Sequence, residues 1–562
     1  MLLALAGTVL VGYRFGDSNH GITVPILKRM MDPSLYPGDV MVATGERFPT
    51  IFYRALALVL PGTGSIPPAF FALYVLSIAA TLAGAYRIGR WAGGPAAGAV
   101  ALLFAFPVRI GLAGEALYRV AFSHSHVASA LVIWAMVWFL EGRRLLPLLV
   151  LSLGAYNHVL YSVYVLVPML LVVLTERRQA GNRRTVTLMA AAVLPLLPIV
   201  GWSLAHSAPM TPQWLELLRL RSSLHSFPSA FIEDLPSAAA LLALAALSLS
   251  RMSEDRRRLV MWFLIGVALQ FVLGSVFTEY VPLKAVLQYQ PHRSWRFLAL
   301  LLQAIVAAGV VAGWREGGLA RAIAAATAVV MFVPELTALL PVVLIAQAVA
   351  GRPSAATWAR LLAAGVIVGI DGWGDPRPEW GFAADLIPRL STSAVLAAAA
   401  LALLIVVGIE RGGAARRLLA AAAAAGAVSW LGPDVYARAR ARWEQGAWRD
   451  AQNWVRANTP RSAVVLTPPS QTGFRVFSER TVVGEWKDGT QQYFDDAFVR
   501  EWGARMEALG GEQFPQLPDD QLRALARRFG ASYLVLPLKP RHPGLADVYA
   551  NRGFVVYRVD GR

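Results

Sequence analysis

Apolar residues dominate the chain in long runs broken by short polar clusters. The pattern predicts membrane spans near 1–13, 68–88, 94–112, 124–140, 145–157, 159–174, 186–205, 237–250, 259–278, 297–314, 322–335, 337–350, 356–370, 391–409 and 415–432. Several are shorter than the roughly 20 residues a perpendicular transmembrane helix needs. The stretch 145–174 is too long for one helix, and both flanks, Arg143/Arg144 and Arg177/Arg178, are basic. Two short helices meeting at Tyr156-Asn157-His158 would put both flanks on one side, and the same logic splits 322–350 at Pro334-Glu335. Backbone broken in this way is tolerated in a membrane where it lines protein or a wet cavity.

After Pro433 the pattern changes. Ala463–Thr467, Arg480–Gly484, Ser532–Pro537 and Phe554–Arg558 read as strands, and Asp519–Phe529 has helical spacing with acids at its start and Gly530 after it. The expected fold is therefore an α-helical polytopic membrane protein of about 13–15 spans, residues 1–432, followed by a small α/β domain, 433–562.

Composition agrees: 56% of the 562 residues are hydrophobic and only 15% charged, too apolar for one water-soluble core. The absence of cysteine excludes disulfides, thiolate zinc sites and cysteine nucleophiles. Arg far outnumbers Lys and Ala is abundant, a pattern of GC-rich bacterial coding. The net charge of +17 is a topology signal rather than a nucleic-acid footprint. Residues 1–432 hold 33 Lys+Arg against 20 Asp+Glu, and much of the excess sits in short loops between spans, the positive-inside pattern. That places the N-terminus in the cytoplasm and the C-terminal domain outside, in a bacterial inner membrane. The first span lacks a basic n-region and an Ala-x-Ala site, so a cleaved signal peptide is not expected.

Candidate chemistry gathers on the predicted outer face. The first external loop, 14–67, carries Asp17 and His20, three residues apart, and then Asp39. A carboxylate at the membrane boundary is partly desolvated, which suits Asp17 to accept a proton. The plainer alternatives are a helix N-cap for Asp17 and a turn residue for Asp39. His292, Arg293 and Arg296 open the 297–314 span from outside, and two guanidiniums there suit a lipid phosphate or an interfacial belt. Glu115, His124, His126 and His158 are expected near the same level, as substrate-binding polar residues or buried hydrogen-bonded ones. No cofactor is expected; a divalent cation on His-x-His with Glu115 lacks motif support. Walker A, Gly-x-Gly-x-x-Gly and Gly-x-Ser-x-Gly motifs are missing.

One span, a long outer loop bearing an acid, many helices and a C-terminal outer α/β domain resemble the GT-C superfamily of integral-membrane glycosyltransferases. The Gly-Asp-x-Asn-His and Asp-Pro-x-Leu-Tyr-Pro-x-Asp patterns of the first loop, with Thr-Pro-Pro … Gly-Phe-Arg-Val-Phe-Ser … Trp-Lys at 467–487, also resemble a bacterial membrane family of that architecture. The resemblance implies a polyprenyl-phosphate sugar as donor and a first-loop acid, here Asp17, as catalytic base or metal ligand. No Asp-x-Asp or Glu-Asp pair stands in 14–67, unlike several GT-C branches. Rival expectations are a lipid or sugar transporter, for which broken spans would form a midplane site, and a non-catalytic scaffold for envelope polysaccharide assembly.

Overall fold

The computed structural model describes residues 13–106, 111–207, 209–332, 343–344 and 446–559. Among them, six helices are long and apolar enough to cross a membrane: Thr63–Gly93, Leu145–Thr175, Asn182–Ala205, Ile232–Leu249, Glu254–Tyr280 and Lys284–Glu316. Shorter apolar helices cover Pro95–Ala105, His124–Leu140 and Gly318–Phe332. The protein is thus polytopic and helical. The spans expected at 1–13 and 356–432, the break at Pro334-Glu335 and the domain boundary near 433 fall outside the described residues.

Helix α1 (His20–Met31) follows the first loop. Helix α2 (Ile66–Gly93) has 28 residues, ~42 Å at the α-helical rise, enough to span a bilayer. Helix α3 (Pro95–Ala105) returns along it, and α4 (His124–Leu140) packs against α2. Helix α5 (Leu145–Thr175) is continuous in name only, because His158 adopts φ −155°, ψ 94°. A straight helix of that length would separate its ends by ~46 Å. Instead Arg144, before the first residue, bonds Glu176, after the last, at 2.7 and 3.0 Å. A Cβ built on Gly154 would lie 3.3 Å from the Ser162 hydroxyl. The chain doubles back at Asn157-His158, as the two basic flanks predict.

Helices α6 (Pro212–Ser226), α7 (Leu235–Leu249), α8 (Glu254–Ser275) and α9 (Trp295–Glu316) complete the parts used below. Charged helix ends collect at one end of the bundle. Arg87 pairs with Glu141, Arg144 with Glu176 and Arg251 with Glu316, and Arg256 lies 5.7 Å from the centre of the Trp91 ring. The C-terminal domain sits at the opposite end.

That domain is a five-stranded mixed sheet in the order β2-β1-β3-β5-β4, formed by β1 (Val464–Leu466), β2 (Thr481–Val482), β3 (Tyr533–Pro537), β4 (Ala546–Ala550) and β5 (Phe554–Arg558). β2, β1 and β3 are parallel, while β5 runs antiparallel to β3 and β4. Alternation along the strands feeds two cores. Val465, Val535 and Val556 face helix α10 (Gly446–Asn458) through Ala451 and Val455. Leu466, Leu534, Leu536 and Tyr557 face the other way, into a core shared with Ile22, Ile26, Tyr36 and Met41 of the first loop region and Trp214 and Leu218 of α6. The sheet is therefore docked on the bundle by a common apolar core. At the same junction Gly16 (φ +98°) and Gly473 (φ +81°) meet so closely that a Cβ on Gly473 would lie 2.4 Å from the Gly16 carbonyl oxygen. Only glycine fits there without displacing backbone.

Candidate active site at the junction of bundle and sheet

The site is built around Glu115. The turn before it closes through Gly111 N–H donating to the Glu115 carbonyl at 2.7 Å, with Ala113 and Gly114 both left-handed at φ +61° and +67°. This turn buries the carboxylate, leaving 1% of the side chain accessible. Arg293 Nε donates to it at 2.7 Å, Arg296 lies at 2.9 Å, and Arg119 at 3.9 Å. Burial pushes the Glu115 carboxyl upward, but the guanidiniums of Arg293, Arg296 and Arg119 outweigh it and hold it down at about 2. Three guanidiniums on one ionised carboxylate leave two positive charges uncompensated. Buried charge of one sign is costly, so such a cluster favours an anion.

The three arginines differ in availability. Arg296 is 5% accessible, donates also to the Ala116 carbonyl and lies over the Tyr161 ring at 4.4 Å. Arg293 is 17% accessible and is steadied by the Gln290 side-chain oxygen. Arg119 donates to the Gly114 carbonyl at 2.7 Å yet remains 45% accessible. Two of the three thus present N–H groups to an incoming ligand.

The C-terminal domain reaches into this cluster through the 3-10 segment Trp486–Tyr493. Arg221 of α6 donates to the Trp486 carbonyl at 2.8 Å. The next residue, Lys487, lies in the field of Arg221, Arg119, Asp17 and Arg293. Burial, reinforced by the repulsion of Arg221 and Arg119, depresses its ammonium to about 7, with Asp17 opposing. Asp17 and Arg293 thus both act on one lysine. Asp17 is 17% accessible; one oxygen bonds Arg14 at 3.1 Å and the other accepts the Ser18 N–H at 2.7 Å. His225, past the bend at Ser222, donates Nδ1–H to the Ala113 carbonyl at 2.8 Å, and burial keeps it neutral. Beside the cluster runs a column of rings. Tyr161 stacks on His158 at 3.9 Å, His158 on His124 at 5.1 Å, and His124 Nδ1 is hydrogen-bonded to the Tyr53 hydroxyl at 3.1 Å.

Residues 446–509 match a family described as Domain of unknown function (DUF6798), a stretch that includes Arg475 and Lys487. No curated protein sequence matches the chain. The chain is similar to two crystal structures of ArnT from Cupriavidus metallidurans, each over 100% of this chain and 97% of the other. One, bound to undecaprenyl phosphate, has 12% identity and a TM-score of 0.48. The other, in the apo state, has 14% identity and a TM-score of 0.44.

Among the residues expected from sequence, the fold gathers Glu115, Arg293, Arg296, His124 and His158, and brings Asp17 to the same lysine as Arg293. Four others go elsewhere. His20, expected as a catalytic partner of Asp17, is fully buried among Tyr13, Phe15 and Phe70, and its Nδ1 accepts the Gly16 N–H at 3.0 Å. It shapes the loop that carries Asp17 and is withdrawn from any ligand. Asp39, expected to bind substrate, is a helix N-cap for Met41 and Val42 and pairs with Arg475 at 2.6 Å in a fully buried clasp. His126 is consumed in capping α4: its Nδ1 accepts the Ser123 N–H at 3.1 Å and its Nε2–H faces the Arg119 carbonyl at 3.3 Å. His292 is packed between Phe231 and Phe271 with the Ser275 hydroxyl at 3.2 Å. The His-x-His pair thus diverges, and among the described residues no three His, Asp or Glu side chains are grouped to hold a metal ion. Sequence reasoning overlooked Lys487, Arg221 and His225 as site residues. The helix bends at Ser222 (φ −140°, ψ 29°), between Arg221 and His225, so helical spacing in the sequence does not mark the two as neighbours.

Proposed function

We propose that the protein is a GT-C-like glycosyltransferase that moves a sugar from a polyprenyl-phosphate donor to an acceptor on the exoplasmic side of a bacterial inner membrane. The observation that carries this reading is the excess of positive charge around Glu115, at the junction of apolar helices and the sheet domain, with Asp17 in the field of the neighbouring Lys487. A phosphate on a lipid entering from the bilayer would meet Arg293 and Arg119 first, and charge-assisted bonds from guanidiniums suit it. Arg296 acts through Glu115, fixing the carboxylate that orients the other two. Asp17 is the general base: it accepts the proton of the acceptor hydroxyl as that oxygen attacks the anomeric carbon, and the polyprenyl phosphate leaves with the bonding electrons. Arg14, bonded to Asp17 at 3.1 Å, holds its carboxylate in place. The column of Tyr161, His158 and His124 offers ring faces to the sugar. In this scheme the basic helix ends lie in the cytoplasm and the C-terminal domain in the periplasm, where it helps to position the acceptor.

The test is genetic and chemical. Cells lacking the protein should lose a specific sugar from an envelope glycan, read by mass spectrometry. Wild-type protein should restore it and Asp17→Asn, expressed at equal level in the membrane, should not. Restoration by Asp17→Asn would leave the chain as a scaffold or transporter.

A further inference from the structure

The chain has 52 Lys+Arg residues, of which only Lys28, Lys284, Lys487 and Lys539 are lysines. Three of the four lie where the sheet domain meets the bundle. Lys28 of α1 bonds Glu479 at 2.6 Å, and Lys284 bonds Asp496 at 2.6 and 2.8 Å. Both join the two parts as ion pairs. Lys487 comes from the sheet domain, next to the Trp486 carbonyl that Arg221 of α6 bonds at 2.8 Å, and its ammonium has no hydrogen bond or ion pair among the described residues. Its backbone is held firmly: Arg221 bonds the Trp486 carbonyl, Trp214 Nε1 donates to the Gln492 carbonyl at 3.2 Å, and Gln288 donates to the Tyr493 carbonyl at 2.9 Å. On its other side Asp488 is fixed by Arg475 at 3.0 Å. A lysine held on a pinned loop, in the field of Arg221, Arg119 and Arg293 and without a protein partner, has its three donors free for an anion.

Resting on the glycosyltransferase reading above, we propose that Lys487 is a phosphate-binding residue supplied by the C-terminal domain. With Arg119 and Arg293 it completes the site for the phosphate of a polyprenyl lipid. The three cations come from three separate segments: the turn after Glu115, the start of α9 and the 486–493 loop. A tetrahedral oxyanion presents acceptors in several directions at once, which a planar carboxylate does not. Lysine suits the third position because its ammonium is a compact charge with three rotatable donors, whereas the two guanidiniums bind in fixed forks. The donor site is then incomplete without the docked sheet domain, and docking through Lys28, Lys284 and the shared core becomes a condition for donor binding.

The experiment uses the full chain in nanodiscs and measures binding of polyprenyl phosphate, with neutral polyprenol and inorganic phosphate as separate arms. Wild type should bind polyprenyl phosphate, and polyprenol should not compete. Lys487→Gln should weaken binding by about 10- to 100-fold, the range for losing one charge-assisted contact. Lys487→Arg should recover most of it. The melting temperature of ligand-free Lys487→Gln should not fall, because the side chain has no partner to lose; a structural role would lower it. Wild-type binding by Lys487→Gln, with binding lost in Arg293→Ala, overturns this inference and leaves the proposed function standing. Competition by inorganic phosphate at the affinity of the lipid overturns the lipid as ligand. Absence of polyprenyl-phosphate binding by wild type overturns both.

Discussion

Replacing Arg475 by Met should loosen the junction that carries the site. The guanidinium is 0% accessible and touches three carboxylates: Asp39 at 2.6 Å, Asp488 at 3.0 Å and Glu485 at 3.9 Å. It also donates to the Val482 carbonyl at 3.0 Å. Asp39 belongs to the first loop region, whereas Asp488 and Glu485 flank Lys487, so one side chain ties both halves of the site. Methionine replaces the apolar stem and leaves three buried acids without a cation. Breaking a buried ion pair from one side costs about 3–5 kcal/mol, of which proton uptake by the acids returns part. The assay is thermal unfolding of the full chain in detergent, with proteolysis of the sheet domain as a second readout. Arg475→Met should melt several degrees lower and be cut sooner at the junction. Asp39→Asn in the Arg475→Met background should add far less than it does alone, since the two act through one contact. Unchanged melting, or strictly additive effects, would refute the clasp.

Three residues at the junction give further tests by pH and substitution. Burial pushes Glu485 up to about 8, with Arg475 opposing and Asp488 adding. The folded chain thus holds a proton that the unfolded chain releases above the ordinary Glu value, so this contribution is full below about pH 4.5 and lost as pH rises toward 8; in Glu485→Gln the slope of melting temperature against pH over that window should flatten. Glu115→Gln should cost about 3–5 kcal/mol of stability by leaving three guanidiniums without their carboxylate, and polyprenyl phosphate should restore part of the lost melting temperature. Because Lys487 sits near pH 7 when free, phosphate binding by wild type should fall as pH rises through 7 relative to Lys487→Arg, whose charge persists. A parallel pH course for the two proteins would remove Lys487 from the site.

Much of the fold was legible because it is periodic. The strand expectations at 463–467, 532–537 and 554–558 correspond to adjacent strands of one sheet, since each carries a run of buried Val and Leu. β4 escaped notice because Ala546–Ala550 is a largely exposed edge strand with an acid and two alanines, and no apolar alternation. The reversal inside α5 was legible from the basic residues at both ends. The site was only partly legible. His20 and Asp39 look like any polar loop residues until the sheet domain supplies Phe477 against Gly16 and Arg475 against Asp39, contacts more than 400 residues apart along the chain. Long separation also hid Lys487, which acquires its neighbours only when the 486–493 loop docks on α6 through Arg221.

The central claim is that Asp17 performs chemistry on a donor held by the neighbouring cations. The measurement that tests it most directly separates binding from turnover in one preparation. Wild type and Asp17→Asn in nanodiscs would be titrated with polyprenyl phosphate and then incubated with a panel of polyprenyl-phosphate sugars and acceptor lipids, scoring released polyprenyl phosphate. Wild type should turn over at least one donor. Asp17→Asn should bind polyprenyl phosphate like wild type and lose about 10²–10⁴-fold in rate, the usual worth of a general base. Equal turnover by the two proteins, or loss of binding and turnover together in Asp17→Asn, would contradict the assignment.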